Sequence, residues 1–325
     1  MKELHDGATN VPGVVTGSDR MWWTVTDRVL ALDVGGTKIA AGIVDRDGQV
    51  VRAVRVPTPT ASADATWQAV VTAAEQALRG EEVAAVGIAC AGPVDVVAGT
   101  ASPINVPEWR EFPLRDRVAD LVPGSRVELA GDGVCMALGE HWRGAGRDSR
   151  FMVGLVVSTG VGGGLVFGGR PYGGRSGNAG HVGHVVVEPD GLPCTCGGRG
   201  CAETVAGGPR MVAWARSLGW QAPAHADAAH LAAAALAGEE IPRTAFERAG
   251  RGVGLAIAAT AAVCDLDLAV VGGGVAQAGD LLFDPIARTL DEHAGLSYLA
   301  GLRVVPAELG GQAGLVGAAA LVVDR

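Results

Sequence analysis

The sequence predicts an α/β protein built as two similar halves. Two observations carry this. Short apolar strands alternate with helical segments in both parts of the 325-residue chain, the pattern of layered α/β domains. Two glycine-rich turns also follow short apolar runs, one at Val34-Gly35-Gly36 and one at Ser158-Thr159-Gly160. Their recurrence reads as a duplicated βββαβα-like unit with a cleft between the copies.

The elements follow in order. Residues 1–27 are polar and without periodicity, and read as a flexible extension. Val29–Asp33 is a short apolar run, as in a buried strand. Ile39–Val44 and Val50–Val56 continue as strands around the turn Asp45-Arg46-Asp47-Gly48. Asp64–Leu78 has helical spacing, with Trp67, Val70, Val71, Ala74 and Leu78 on one face, and Val83–Ala89 is another strand. In the second half a helix is expected over Val134–Trp142, with strands at Phe151–Val157 and Gly164–Phe167. Ala-rich helices fill Arg210–Ala237 and Ala245–Cys264. Leu268–Val271 is a strand running into Gly272-Gly273-Gly274, and Gly311–Val323 reads as a helix of small residues.

Composition narrows the function. The chain is 48% hydrophobic and 19% charged, a globular balance. A net charge of −9 argues against a nucleic-acid surface. No run of about 20 apolar residues is present, so no membrane span is expected. Six cysteines without a secretory leader point to reduced thiols and a cytoplasmic protein. Only Lys2 and Lys38 are lysine among the 26 basic residues.

The densest chemistry lies between His181 and Glu203. His184, Cys194, Cys196 and Cys201 form H-x9-C-x-C-x4-C. Thiolate and imidazole suit Zn²⁺, and four protein ligands would close a structural tetrahedron. The plainer alternative is a group of reduced core cysteines, although the segment is rich in Gly and Pro. His181 competes with His184 for the fourth ligand position. His141, His225, His230 and His293 read as solvated or packed residues.

The three glycine turns each have two readings. In Asp33-Val34-Gly35-Gly36-Thr37-Lys38, glycines allow backbone amides to approach phosphate oxygens, and Thr37 adds a hydroxyl donor. Asp33 at the strand end can hold Mg²⁺ through water. The same residues also suit an ordinary tight hairpin. The turn through Thr159 and Gly160 has the same character. Gly272, Gly273 and Gly274 can lie flat against an adenine or ribose, or simply allow close packing of strand and helix. Neither a dinucleotide fingerprint nor a P-loop motif is present.

Taken together, these residues resemble the ROK family of sugar kinases. The similarity runs from Val29 to Val323 and rests on several motifs: D-[IV]-G-G-T-K at Asp33–Lys38; N-x-P-x-W at Asn105, Pro107 and Trp109; T-G-x-G-x-G at Thr159, Gly160, Gly162 and Gly164; G-H then C-x-C-G-x-x-G-C from Gly183 to Cys201; Glu203; and G-G-G-V at Gly272–Val275. The resemblance implies a two-domain hexokinase/actin-like (ribonuclease H-like) fold with a hinged cleft. Residues 28–130 plus 308–325 would form the small domain and 131–307 the large one. It also implies ATP with Mg²⁺, a structural zinc, a homodimer or homotetramer, and a catalytic Asp, here Asp132. A carboxylate suits the role, because it can accept a hydroxyl proton as the oxygen attacks phosphorus. Asp132 also suits a helix N-cap. Asp33, Gly35, Gly36, Thr37, Lys38, Thr159, Gly160, Gly272, Gly273 and Gly274 would bind the nucleotide. Asn105, Asp132, His181, His184 and Glu203 would bind the sugar, His184 through its second ring nitrogen.

Two positions depart from the family pattern. Gly131 stands where relatives carry a sugar-binding Asn, and His181 where they carry a Glu. A site built to pair hydroxyls discriminates strongly, so the expected acceptor is a hexose or hexose-like molecule altered near the 3-position. A 3-amino hexose such as kanosamine, or a C7 cyclitol, fits this expectation, with phosphoryl transfer to the 6-hydroxyl or its equivalent. An ordinary glucokinase is the conservative alternative. A sugar-sensing regulator or a non-catalytic sugar-binding protein is the alternative from another class.

Overall fold

The computed structural model describes residues 28–59 and 61–323; the extension expected over 1–27 lies outside the described residues. The first half opens with strands β1 (Arg28–Val34), β2 (Lys38–Asp45) and β3 (Val50–Pro57). Helix α1 (Ala63–Leu78), strand β4 (Ala85–Cys90), a small ribbon of β5 (Val94–Asp95) and β6 (Thr100–Ala101), helix α2 (Leu114–Leu121) and strand β7 (Arg126–Gly131) complete it. Helix α3 (Asp132–Arg143) then leads into β8 (Phe151–Val157), β9 (Val161–Phe167) and β10 (Arg170–Tyr172). Helices α4 (Ala202–Ala206), α5 (Gly208–Ser217), α6 (Ala228–Leu236) and α7 (Glu240–Cys264) precede β11 (Leu268–Gly272). Helix α8 (Asp280–His293), strand β12 (Arg303–Pro306) and helix α9 (Ala313–Ala320) follow.

The duplication is visible in the sheets. The first has the order β3-β2-β1-β4-β7 and the second β10-β9-β8-β11-β12. In each, the first three strands form an antiparallel meander and the last two add in parallel. The β1–β2 and β8–β9 turns are therefore equivalent corners of two copies. Central strands such as β4 are buried along their whole length, as strands covered on both faces must be. Edge strand β3 alternates half-buried and exposed residues, so one of its faces meets solvent.

Helices α3 and α9 pack against each other almost backbone to backbone. A Cβ on Gly317 would stand 1.6 Å from the Cys135 carbonyl oxygen, and one on Gly139 2.5 Å from that of Ala313. Helix α9 also lies flat on the first sheet, where a Cβ on Gly87 would stand 1.8 Å from the Ala318 oxygen. Leu315, Ala318, Ala319 and Val322 share a core there with Val29, Ala31, Ala85 and Cys135. The opposite face of the first sheet is covered by α1 and the segment holding Trp109 and Phe112, whose rings stack at 4.1 Å.

Several boundaries differ from expectation for local reasons. The helix expected over 210–237 is two helices, α5 and α6, because Gly219 adopts a left-handed φ of 99° and Pro223 follows in the break. Strand β9 begins at Val161, so Gly162, Gly163 and Gly164 lie in a strand rather than in the turn. Helix α7 starts at Glu240, ahead of the expected Ala245.

Candidate active site

The two corners and the start of α3 converge on one cleft. In the first corner the Gly35 amide donates to the Lys38 carbonyl at 3.0 Å, and the Thr58 hydroxyl donates to the Gly35 carbonyl at 2.7 Å. Among the described residues, the amides of Gly36 and Thr37 have no protein acceptor, which leaves them for an anion. Gly36 is glycine for a second reason: its Cβ would stand 2.3 Å from that of Asn105, so the Asn105 segment lies directly on the turn.

Asp33 closes the end of β1 and Asp132 opens α3. Gly131, not Asp132, is the helix N-cap, and Asp132 Oδ1 accepts from the adjacent Gly133 amide at 2.7 Å. The capping alternative for Asp132 therefore falls. Asp132 remains accessible from the cleft, yet the crowd of protein atoms around it raises its carboxyl above the ordinary range, offset by the Gly133 amide and His181. Asp33 is pushed up to about 6 by burial and by the charge of Asp132, with Lys38 and Arg55 pulling it back. A carboxylate raised by burial and by a second carboxylate beside it makes a site that favours a cation or a proton.

Arg55 was not expected here, although the strand register explains it. Asp33 pairs with Ala40, and Ala40 with Arg55, so all three project on one face of the sheet. Ala40 is small enough for Arg55 to reach across it toward the Gly311 carbonyl, at 3.4 Å.

The second corner is braced by Glu203 on α4, whose Oε2 accepts from the Val161 amide at 3.1 Å and lies 2.4 Å from where a Cβ on Gly160 would be. The Gly208 amide donates to the Ser158 carbonyl at 2.7 Å. Thr159 lines a groove of about 460 Å³ with Pro209, Arg216, Asp227, Gly274 and Val275. Of the three expected glycines only Gly274 lines it. Gly272 faces Met136 and Ala307, and Gly273, at φ 95°, packs on the Val157 carbonyl. Gly272 and Gly273 shape the corner from behind.

His184, Cys194, Cys196 and Cys201 bring four donor atoms within 4.8 Å of one another. The Cys194 Sγ–His184 Nδ1 distance is 3.8 Å and the Cys196–Cys201 Sγ distance 3.7 Å. A tetrahedron with metal–sulfur bonds of about 2.3 Å has edges of roughly 3.8 Å, so donor set and spacing both fit zinc. The Gly198 amide lowers the Cys196 thiol, while burial raises Cys201 to about 12. His181 is outside the cluster; its ring stacks on that of His184 at 5.5 Å. Burial and His184 hold its pKa below the ordinary value, against the pull of Asp132 and Glu203. With His184 Nδ1 facing Cys194 Sγ, Nε2 is the ring nitrogen left outside this contact.

The family model described as ROK family matches residues 29–325. The chain belongs to the ROK family. Among ROK proteins it is 35% identical to the glucokinase of Streptomyces coelicolor over 307 residues, covering 90% of this chain and 96% of that one. It is 32% identical to the N-acetylmannosamine kinase of Yersinia pseudotuberculosis, over 77% of this chain and 83% of the relative. The crystal structure of a ROK family glucokinase from Streptomyces griseus in complex with glucose and AMPPNP superimposes with a TM-score of 0.79. It is 35% identical and covers 90% of this chain and 98% of its own. The hexokinase-type α/β fold of ROK proteins is thus the fold of this chain.

Proposed function

We propose that this ROK protein transfers the γ-phosphoryl group of ATP to the primary 6-hydroxyl, or its equivalent, of a hexose-like acceptor that differs from glucose near the 3-position. The sugar-kinase class rests on the family and on the 35% identical glucokinase. Asp132 accepts the hydroxyl proton as the acceptor oxygen attacks the γ-phosphorus and the bond to the β-phosphate oxygen breaks. Its position at the first turn of α3 keeps the carboxylate at the positive end of a helix. The amides of Gly36 and Thr37 and the Lys38 ammonium flank the transferring group. Thr159 and Gly274 hold the rest of the nucleotide in the groove of the second half. Mg²⁺ accompanying the nucleotide would be held through water by Asp33 and would neutralise phosphate charge. Zinc held by His184, Cys194, Cys196 and Cys201 would lock the imidazole of His184 in orientation. Residues 28–130 with 308–325 and residues 131–307 act in this reading as the two walls of the cleft, in a cytoplasmic enzyme.

Gly131 carries the specificity reading. Its φ of −64° and ψ of 148° suit any residue, and a Cβ there would meet only Val134 Cγ2, at 4.0 Å. The backbone does not require glycine. The missing side chain is room in the cleft, one residue from Asp132. His181 adds a nitrogen-bearing ring beside Asp132 and Glu203. A 3-amino hexose such as kanosamine, or a C7 cyclitol, suits this pocket.

The test is a panel of acceptors with coupled ADP detection. A 3-modified hexose or cyclitol should exceed glucose in kcat/KM by about tenfold or more, roughly 1.4 kcal/mol. Gly131→Asn with His181→Glu should shift preference back toward glucose. Glucose as clearly the best acceptor of the unaltered protein would return it to the ordinary glucokinases.

A further inference from the structure

The acceptor site is assembled from both halves, and one side chain joins them. Asn105 comes from the first half, lying on the phosphate corner. His181 and His184 come from the second, on the segment that follows β10. That segment is anchored to its own sheet. A Cβ on Gly180 would stand 2.8 Å from Gly164 Cα in β9, and the Gly177 and Ala179 amides both donate to the Gly173 carbonyl at 3.0 Å.

Asn178 reaches out of this segment to Val94 in the ribbon of the first half. Its Oδ1 accepts from the Val94 amide at 3.2 Å and its Nδ2 donates to the Val94 carbonyl at 2.7 Å. The side-chain amide thus satisfies both backbone groups of one buried residue, as a neighbouring strand would. The Val96 amide donates to the Ser176 carbonyl at 3.3 Å, and Gly177 is bare where Val96 packs. On the first-half side, the Ile104 amide donates to the Gly92 carbonyl at 3.3 Å and the Ser102 amide to that of Pro93 at 2.9 Å. The path from Asn178 to the residue preceding Asn105 thus runs by hydrogen bond to Val94, along the backbone through Pro93 to Gly92, and by hydrogen bond from the Ile104 amide to Gly92. Gly92, on the same path, is bare where His181 Nε2 approaches, 3.1 Å from where its Cβ would be.

We propose that Asn178 is a positioning residue for the acceptor. It fixes the distance between the sugar-binding groups of the two halves, Asn105 on one side and His181 and His184 on the other. It touches neither the nucleotide groove nor Asp132. The inference rests on the sugar-kinase reading of this cleft. Loss of the amide should weaken acceptor binding and blur the choice between acceptors, because both depend on two half-sites held in register. Nucleotide binding and the phosphoryl-transfer step should be left alone.

The experiment compares Asn178→Ala and Ser176→Ala with the unaltered protein, measuring steady-state kinetics on the best two acceptors, melting temperature and metal content. Asn178→Ala should raise the acceptor KM about tenfold or more and narrow the preference between the two acceptors. The kcat at saturating acceptor should stay within about threefold, and the KM for ATP should be unchanged. Ser176→Ala keeps both bonds to Val94 and should behave as the unaltered protein. If Asn178→Ala does not give folded, metal-loaded protein, Asn178→Asp replaces it. That variant keeps the acceptor for the Val94 amide, and its acceptor KM should rise at least threefold. A fall in kcat alone, equal for all acceptors, would mark Asn178 as merely structural and overturn the inference. So would an effect of Ser176→Ala as large as that of Asn178→Ala. An unaltered protein that phosphorylates no acceptor overturns the kinase reading and this inference with it. An active one whose Asn178→Ala variant keeps its acceptor KM overturns the inference alone.

Discussion

Asp132 and Asp33 sit within each other's field, and their substitutions should have different signatures. Asp132→Asn preserves size but cannot accept a proton at neutral pH. It should lower kcat by about 10²–10⁴ with a smaller change in acceptor binding. Near-normal turnover in that variant would remove Asp132 from the mechanism. Asp33→Asn should also impair activity, yet it should make the protein without ligands more stable at pH 7. The sign follows from linkage. A carboxyl raised to about 6 in the folded state holds its proton longer than the unfolded chain does, so stability falls as pH rises from about 4 to 6. Partial solvation and coupling to Asp132 reduce the effect to about 1–2 kcal/mol. Thermal melts should show the variant more stable above pH 6 and equal to the unaltered protein below about pH 4. Asp33 was open to sequence reading because it heads the Asp33–Lys38 motif, and Asp132 through the resemblance alone. Arg55 was not, because its relation to Asp33 runs through Ala40 on a neighbouring strand. Asn178 was hidden too: its partner is a backbone, which leaves no trace in residue types.

At the scale of elements, the zinc segment has little regular structure to sustain it. Between His181 and Cys201 the structure has only a one-turn 3₁₀ helix, Val182–His184, and isolated bridges such as Val186–Cys201 and Pro193–Arg199. The cluster joins His184 to the Cys194–Cys201 loop, so metal binding and local folding are linked. Purified protein should carry one zinc per chain. Cys201→Ser should lose it and raise the acceptor KM through His184. Metal analysis finding no zinc in protein prepared without chelator would refute the assignment. The sequence disclosed this cluster because one His and three Cys in short spacing are rare by chance. It disclosed β1, β2, β4 and β8 for a different reason: they are buried along nearly their whole length and read as unbroken apolar runs. Strand β12 is four residues long and only half buried, and α8 carries Pro285 inside its apolar stripe. Neither has a pattern that stands out from its surroundings.

For the whole molecule, the decisive contact is α3 on α9. Helix α3 begins with Asp132, and α9 passes Asp33 so closely that a Cβ on Gly314 would stand 2.4 Å from Asp33 Oδ2. Buried Glu140, on α3, accepts from the amides of Glu308 and Leu309 at 3.1 and 2.8 Å and so ties α3 to the segment leading into α9. Gly317→Ala should push the two helices apart, costing about 1–3 kcal/mol. The melting temperature should fall by several degrees. An unchanged melt would show that the backbones have slack between them. The twofold pattern of the sheets was legible in the paired glycine corners, whereas this helix crossing was not. Small residues on α9 announce close approach without naming what approaches.

The same arrangement bears on how the protein is made. The first sheet is synthesised early, but the helix that covers one of its faces, α9, leaves the ribosome only after the entire second sheet. Until then, of the helices in this core, only α3 joins Val29, Ala31, Ala85 and Ala89, through Val134 and Cys135. Domains often fold one at a time during synthesis, but here the first half must wait for the second. The nascent chain therefore carries an incompletely covered apolar face until α9 has been made.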